Sequence, residues 1–391
     1  MPGARYGWYL ATAASWFGGV GLQQVMLPWL VVGELRASAE WTGTVQMASM
    51  LPSLFLLLVG GAVADRRDPR ALLTLLHALA ALPALALGLA IAGGRLSIPI
   101  VLACATAMGA INAFSNPARD SLLSQVAGRD VMRAVTGLTI VQFAAQGVGM
   151  LAAGSARWLG TAPVLIAQAV SVALGAALVR GVPRRASPLA GLAARGEYLA
   201  GLRFVLGSPL RLVLVLTCGI GLLFSASYNV VLPLLVRDVY AGDVQHVSLV
   251  MLMFPAGTIT GSFVLLSRGG IRRKGRALLV SLALAATSVI GCGLGLPFPF
   301  VVGAGFAWGL AGAVFLNMGR TLFQVRAPEA ERARVLAVNQ LGFMAAGPLG
   351  ALLSGLVAGE LGPRTALVAF GTGMLALVGV VGLASDVARM E

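Results

Sequence analysis

The chain has 391 residues, of which 58% are hydrophobic and only 11% are charged, and its mean hydropathy is +0.89. A water-soluble protein of this length could not bury so much apolar surface, so the composition excludes a soluble globular domain and indicates a membrane protein. The 28 basic residues outnumber the 14 acidic ones, which gives a net charge of +14.

Apolar stretches long enough to cross a bilayer recur twelve times along the chain. A transmembrane helix needs about 20 apolar residues, and these stretches are too long, and lack the alternation, for the strands of a membrane barrel. The predicted spans are 8–32, 42–64, 71–93, 97–118, 134–156, 161–179, 212–236, 246–267, 277–296, 298–319, 335–358 and 364–385. The sequence therefore predicts an all-α membrane protein with twelve transmembrane helices.

Basic residues are distributed unequally among the loops between these spans. If the first residues are cytoplasmic, 23 of the 28 Lys and Arg residues lie in cytoplasmic segments. This bias orients membrane proteins, so we expect both termini in the cytoplasm and a multi-pass protein of the bacterial inner membrane. Because topology explains the positive charge, no nucleic-acid partner is expected.

Sequence similarity between the two halves of the chain suggests an internal repeat. The segment "AINAFSNPAR" (110–119) aligns with "AGAVFLNMGR" (311–320) at an offset of 201 residues. At an offset of 205, "QVMLPWLV" (24–31) aligns with "NVVLPLLV" (229–236). Matched polar residues at a constant offset indicate a duplicated unit.

The repeat predicts two pseudo-symmetric six-helix halves, residues 1–180 and 212–391. The basic segment 181–211 joins them on the cytoplasmic side. Within it, residues 189–206 have the apolar spacing of an amphipathic helix that lies on the membrane surface.

A charged loop after the second span carries a motif that resembles a known family. The pattern Gly-x-x-x-Asp-Arg-x-x-x-Arg resembles the loop signature of the major facilitator superfamily and is formed here by Gly61, Asp65, Arg66 and Arg70. The second glycine of that signature is Asp68 in this chain, and the pair Asp68-Pro69 is predicted to make the turn instead. Residues 113–138 resemble the Pro-Ala-Arg segment of bacterial exporters of the enterobactin-exporter and macrolide-efflux type.

The resemblance implies that spans 1, 4, 7 and 10 line a central cavity and that the halves rock about a site near the middle of the membrane. Polar and aromatic groups in those spans are the candidate substrate contacts. They are Trp16, Gln23, Gln24, Asn112, Asn116, Ser225, Tyr228, Asn229, Trp308 and Asn317. An alternative for the amides and hydroxyls is that they only join neighbouring helices.

Two sets of residues are predicted to move during transport. A cytoplasmic latch, in which Asp65 pairs with Arg119 in the outward-open state, comprises Gly61, Asp65, Arg66, Arg70, Arg119 and Arg320. Hinges are predicted at Pro28, Pro233, Gly149, Gly154 and Gly350. A proline removes the hydrogen bond to the carbonyl four residues earlier, so Pro28 and Pro233 would free the carbonyls of Gln24 and Asn229. An ordinary proline kink is the alternative.

The spans lack the groups that catalysis or metal binding would need. No Asp or Glu lies inside a predicted span, and no paired intramembrane acids or Cys/His clusters occur, so neither an enzyme nor a cofactor nor a metal site is predicted. The sequence predicts a monomeric secondary transporter that exports an amphipathic small molecule, such as a drug-like compound or siderophore, by alternating access. Proton antiport is one possible driving mechanism for this export. The alternative to an exporter is a lysolipid flippase or an uptake facilitator of the same fold.

Overall fold

The computed structural model describes residues 4–127, 131–182, 197–267, 271–328 and 331–390. The described residues form helices joined by short loops and include no β-strand. The predicted all-α fold is therefore confirmed.

The first half of the chain forms the helices that correspond to predicted spans 1 to 6. They are α1 (Ala4–Trp29), α2 (Ala39–Arg66), α3 (Pro69–Ala92), α4 (Ile98–Val126), α5 (Val131–Gly154), the short α6 (Ala156–Leu159) and α7 (Thr161–Arg180). A π-helical segment, Leu30–Glu34, extends α1 directly.

The second half begins with α8 (Glu197–Gly207), which covers the end of the predicted linker helix. The remaining helices are α9 (Leu210–Ala226), α10 (Leu232–Asp238), α11 (Val244–Ser267), α12 (Lys274–Gly293), α13 (Phe298–Arg326) and α14 (Arg332–Ala384). A second π-helical segment, Ser227–Val231, joins α9 to α10. Within α14, Gly362 has φ of 79° and ψ of 161°, so the chain breaks there into the two predicted spans 335–358 and 364–385.

Nine helices in the described part of the chain are long and apolar enough to cross a membrane, counting α9 to α10 as one and α14 as one. They cover ten of the twelve predicted spans. The other two predicted spans, 8–32 and 42–64, coincide with α1 and α2, which are helical along nearly their whole length. The observed helices are thus consistent with a twelve-helix membrane protein.

The chain forms two compact units. Unit 1 contains residues 1–37, 45–192 and 242–248, and unit 2 contains residues 38–44, 193–241 and 249–391. Two short segments, at the start of α2 and at the start of α11, thus cluster with the opposite half. The predicted division into halves 1–180 and 212–391, joined by residues 181–211, stays a prediction.

The loop between α2 and α3 shows how this chain replaces the missing glycine of the superfamily signature. Asp68 is the N-cap of α3, with φ of −60° and ψ of 113°, and its carboxylate accepts a hydrogen bond of 3.0 Å from the Arg70 amide. Pro69 occupies the first helical position, where its lack of an amide proton costs nothing. Asp68 and Pro69 therefore build the turn as the sequence predicts.

Candidate functional site

Trp16 lies in the core of unit 1. It is 3% exposed and packs among α3, α4 and α7, against Ala80, Met108 and Val172. Its ring meets that of His77 edge-on, with 4.9 Å between the centroids. The His77 Nδ1 lies 2.8 Å from the Leu73 carbonyl oxygen, and because a carbonyl can only accept, Nδ1 carries the proton.

The two amides predicted on α1 have different surroundings. Gln24 Oε1 accepts a hydrogen bond of 2.8 Å from Gln146 Nε2 of α5, which is the helix-joining role. Gln23 lines a small cavity of about 20 Å³ together with Met108 and Gln168. A cavity of that size holds about one water molecule, so this cavity alone is too small for a substrate.

On α4, two predicted contact residues lie one turn apart, and one of them is hydrogen-bonded to a buried cation. Asn112 is half-buried, and Asn116 is exposed. The Asn116 Oδ1 accepts a hydrogen bond of 3.2 Å from Nη1 of Arg119, a residue only 4% exposed. Sequence reasoning assigned Arg119 to the latch and missed its deep burial.

Unit 2 contains a cluster of five aromatic side chains, which we call the aromatic cluster. Its members are Phe224, Tyr228, Phe254, Trp308 and Phe343. Phe224 stacks on Tyr228 with 4.8 Å between ring centroids, and both Phe254 and Trp308 lie within 6.0 Å of Tyr228. Tyr228 and Trp308 are 1% and 2% exposed, whereas the three phenylalanines are partly exposed. Two predicted contact residues are thus brought together, with three phenylalanines that sequence reasoning missed.

The other three predicted contacts of unit 2 are Ser225, Asn229 and Asn317. Ser225 in α9 and Asn229 in the π-helical segment Ser227–Val231 are both buried. Asn317 is exposed on α13, and its Nδ2 donates to the Ala313 carbonyl at 2.8 Å. All these residues, like those of unit 1, remain candidates for substrate contact.

Each predicted proline hinge adjoins a π-helical segment. Leu30–Glu34 begins two residues after Pro28, and Ser227–Val231 ends two residues before Pro233. The Leu35 amide donates to the Leu30 carbonyl at 3.0 Å, and the Leu232 amide to the Ser227 carbonyl, each five residues back. Such register changes cluster at functional sites, and no feature of the sequence pattern predicted them.

The predicted glycine hinges occupy places where helices approach closely. A Cβ added to Gly149 of α5 would lie 2.0 Å from the Gly18 carbonyl oxygen of α1, and one on Gly350 of α14 would lie 2.5 Å from the Leu222 carbonyl oxygen of α9. Gly154 has Ser248 side-chain atoms 3.1 Å from its Cβ position. Small residues permit such contacts in membrane helices, so close packing accounts for these glycines and bending there stays a prediction.

The latch residues beside the α2 to α3 turn lie at the end of α2 and the start of α3, and they differ in exposure. Arg66 is exposed, the Gly61 Cβ position meets open space, and Arg70 Nη2 donates to the Arg180 carbonyl. Arg320, the repeat counterpart of Arg119, is exposed on α13. The Asp65 side chain lies outside the described residues, so its pairing with Arg119 stays a prediction.

A polar group at the start of α11 was not predicted. The Asp243 carboxylate accepts hydrogen bonds from the backbone amides of Gln245 and His246, lies 2.7 Å from His246 Nδ1, and forms an ion pair of 3.1 Å with Arg157. Burial acts to raise the pKa of Asp243, but the hydrogen bonds from His246 and the charges of His246 and Arg157 bring it below its ordinary value. All four residues belong to unit 1.

The chain is similar to transporters over almost its whole length. Residues 5–391 match the model of a family described as transmembrane secretion effectors. The multidrug efflux pump Tap of Mycolicibacterium fortuitum is 29% identical over 394 aligned positions, which cover 93% of this chain and 91% of that protein.

Solved structures resemble the fold at much lower identity. The nucleoside transporter NupG aligns with a TM-score of 0.74 and 15% identity, over 97% of this chain and 98% of that one. A bacterial homologue of the human lysosomal transporter Spinster, in an inward-facing and occupied conformation, gives a TM-score of 0.71 and 13% identity, over 100% and 98%. At such identities the comparisons show the fold alone.

Proposed function

Because the chain belongs to the transmembrane secretion effector family of major facilitator transporters, we propose that it exports amphipathic, drug-like small molecules from the bacterial cytoplasm across the inner membrane by alternating access. The observation that carries this proposal is its similarity, over nine-tenths of both chains, to a multidrug efflux pump. Both termini would lie in the cytoplasm, as the basic loops indicate.

The aromatic cluster supports an amphipathic, partly planar substrate. Three of its five rings are partly exposed, and aromatic surfaces contribute large contact areas with little loss of side-chain entropy. Phe224 contacts all four other members, so it holds the exposed part of the cluster together. Apolar and aromatic walls with few polar groups are typical of small-molecule sites.

The described helices give little support for a carboxylate as the coupling group. Asp120 lies on α4 but is exposed, beyond the predicted span. His77, which lies within predicted span 71–93, is fully buried in unit 1 against Trp16. Proton antiport is therefore part of the proposal that transport assays must decide.

The test is transport by purified protein in proteoliposomes that carry an imposed pH gradient. We expect uphill movement of fluorescent amphipathic dyes that stops when the proton gradient is collapsed. Movement that only equalises concentrations would indicate a facilitator, movement of lysolipids alone would indicate a flippase, and absence of dye movement would contradict export.

A matched pair of variants links transport to the aromatic cluster. Phe224→Ala should raise the dye concentration needed for half-maximal transport by about tenfold, since aromatic pairs and burial contribute on the order of 1–2 kcal/mol. Phe263→Ala, an exposed phenylalanine of the same unit, should transport as the wild type does. Equal effects of both substitutions would contradict the assignment of substrate to this cluster.

A further inference from the structure

Arg119 is a buried cation in unit 1 whose hydrogen-bonding capacity is only partly used. The residue is 4% exposed, and its Nη1 donates to Asn116 Oδ1 at 3.2 Å. Its Nη2 is buried and has no hydrogen-bond partner among the described residues. Buried charges in proteins are normally paired, because an unpaired donor forfeits its interactions with water.

The guanidinium extends into the helix bundle. The Tyr9 hydroxyl donates to the Arg119 carbonyl at 3.3 Å, which fixes the backbone of α4 beside that part of α1. The guanidinium carbon, however, lies 5.0 Å from the centroid of the Trp16 ring and 4.6 Å from that of Phe17. These rings are about 10 Å further along α1, at 1.5 Å per residue. Long basic side chains normally place their charge in water, and this one places it against aromatic faces.

The surroundings of this charge suit an anion. Trp16 and Phe17 stabilise the cation through their ring faces, which leaves the nitrogen edge for hydrogen bonds. The Asn116 Oδ1 accepts the hydrogen bond from Nη1, and this contact uses neither N–H donor of the Asn116 amide nitrogen. A guanidinium edge next to an amide donor matches the two oxygens of a carboxylate or the oxygens of a phosphate.

Asn116 also indicates how an anion would reach the site. It is exposed, and an exposed amide facing hydrocarbon is costly, so this part of α4 faces water. Arg119 Nη1 lies directly behind it, one hydrogen bond from that exposed surface. An anionic group that displaces or joins the Asn116 contact would meet the guanidinium without crossing the core of the unit.

The repeat shows that this arrangement is not a general consequence of the Asn-x-x-Arg motif. In unit 2 the matching Arg320 is exposed, and the matching Asn317 donates to its own helix at the Ala313 carbonyl. At the offset of 205 residues, the positions of Trp16 and Phe17 are occupied by Gly221 and Leu222. The two ring positions beside Arg119 therefore have no aromatic counterparts in the repeat.

We propose that Arg119 and Asn116 form a binding site for an anionic group, a carboxylate, phosphate or sulfonate, on the molecule that the protein transports. The proposal rests on the proposed export function and narrows its substrate class to amphipathic molecules with at least one negative charge. Trp16 and Phe17 position the guanidinium, and Asn116 shares the bound oxygen atoms with it.

The test compares dansylglycine, which carries a carboxylate, with the otherwise matched neutral dansylglycinamide. Binding to protein purified in dodecylmaltoside, a detergent without phosphate, is followed by energy transfer from tryptophan to the dansyl group. We expect the wild type to bind dansylglycine about tenfold more tightly or better, since a charge-assisted hydrogen bond contributes that much. Arg119→Gln should abolish the preference, and Arg320→Gln should retain it.

Several outcomes would overturn the proposal. They are equal binding of the two probes by the wild type, an unchanged preference in Arg119→Gln, or the same loss in Arg320→Gln. If Arg119→Gln does not fold, Asn116→Ala decides, because this exposed residue can be changed without disturbing the core and its loss should reduce the preference several-fold. An undiminished preference in Asn116→Ala would then contradict the site.

Two further comparisons are needed. The first distinguishes a lipid headgroup from a soluble anion, and the second distinguishes failure of the anion site from failure of the export function. Displacement of dansylglycine by lysophosphatidylglycerol would identify a lipid headgroup as the ligand, whereas no displacement would favour a soluble anion. Because binding in detergent needs no transport, a charge preference without dye export would contradict the export function and keep the anion site. Export of neutral dyes without any charge preference in binding would support the export function and contradict the anion site.

Discussion

Replacement of Gly149 by alanine tests the close approach of α1 and α5 on which unit 1 depends. The added Cβ would lie 2.0 Å from the Gly18 carbonyl oxygen, whereas real Cβ contacts essentially never fall below 3.0 Å, so the backbones must separate by at least 1 Å. Overpacking of this kind costs about 1–3 kcal/mol. The same change in Gly7, on α1 with open space at its Cβ position, should instead gain about 0.5–1 kcal/mol of helix propensity.

The comparison of these two variants isolates the packing cost, since both gain the same helix propensity. At roughly 2–4 °C per kcal/mol, Gly149→Ala should melt about 2–12 °C below Gly7→Ala. Gly350→Ala, with its Cβ at 2.5 Å from the Leu222 carbonyl oxygen, should lose less. The measurement is tryptophan fluorescence during heating of the protein in detergent. A Gly149→Ala protein that melts at or above Gly7→Ala would refute the reasoning.

Four other substitutions test the predicted hinges, the predicted latch and the polar group at the start of α11. Pro28→Ala and Pro233→Ala should slow the outward transition in stopped-flow dye transport by restoring helical hydrogen bonds, and unchanged rates would leave only ordinary kinks. Asp65→Asn should shift the protein towards the inward-open state, measured as altered accessibility of a cysteine placed at residue 116; an unchanged pattern would exclude the latch. Asp243 has a lowered pKa, so its stabilising effect is present at neutral pH and is lost as the pH falls below about 4. Asp243→Asn should therefore lower the melting temperature more at pH 7 than at pH 3; equal shifts at both pH values would contradict this linkage.

The fold could be predicted from the sequence because insertion into a bilayer imposes simple rules. Apolar stretches of about 20 residues must become helices, and charges must lie between them. The spans and loops could therefore be predicted from the distribution of apolar and charged residues along the chain. The Asp68-Pro69 turn was also predictable, since both residues have strong local preferences that tertiary contacts do not override.

The candidate site could be predicted only in part, because in a membrane chain the lipid-facing side of a helix is as apolar as the core. The search for polar and aromatic groups in the expected cavity spans therefore found Tyr228 and Trp308, which carry polar atoms, but not Phe224 or Phe254 beside them. The burial of Arg119 depends on two aromatic residues about 100 positions away in the sequence, and no local pattern could pair them. The π-helical segments could not be predicted for a similar reason, because a change of hydrogen-bond register has no characteristic amino-acid sequence.

Those π-helical segments also determine how the C-terminal parts of two helices are oriented. An α-helix turns by about 100° per residue, so a register change of one residue rotates everything beyond it by that angle relative to what precedes it. A helical wheel drawn straight through Leu30–Glu34 or Ser227–Val231 therefore assigns the wrong face to each later residue. If either segment reverted to the α-helical register, the part of its helix after the segment would rotate about the helix axis. Side chains there would then point to a different face, although the axis itself would not bend.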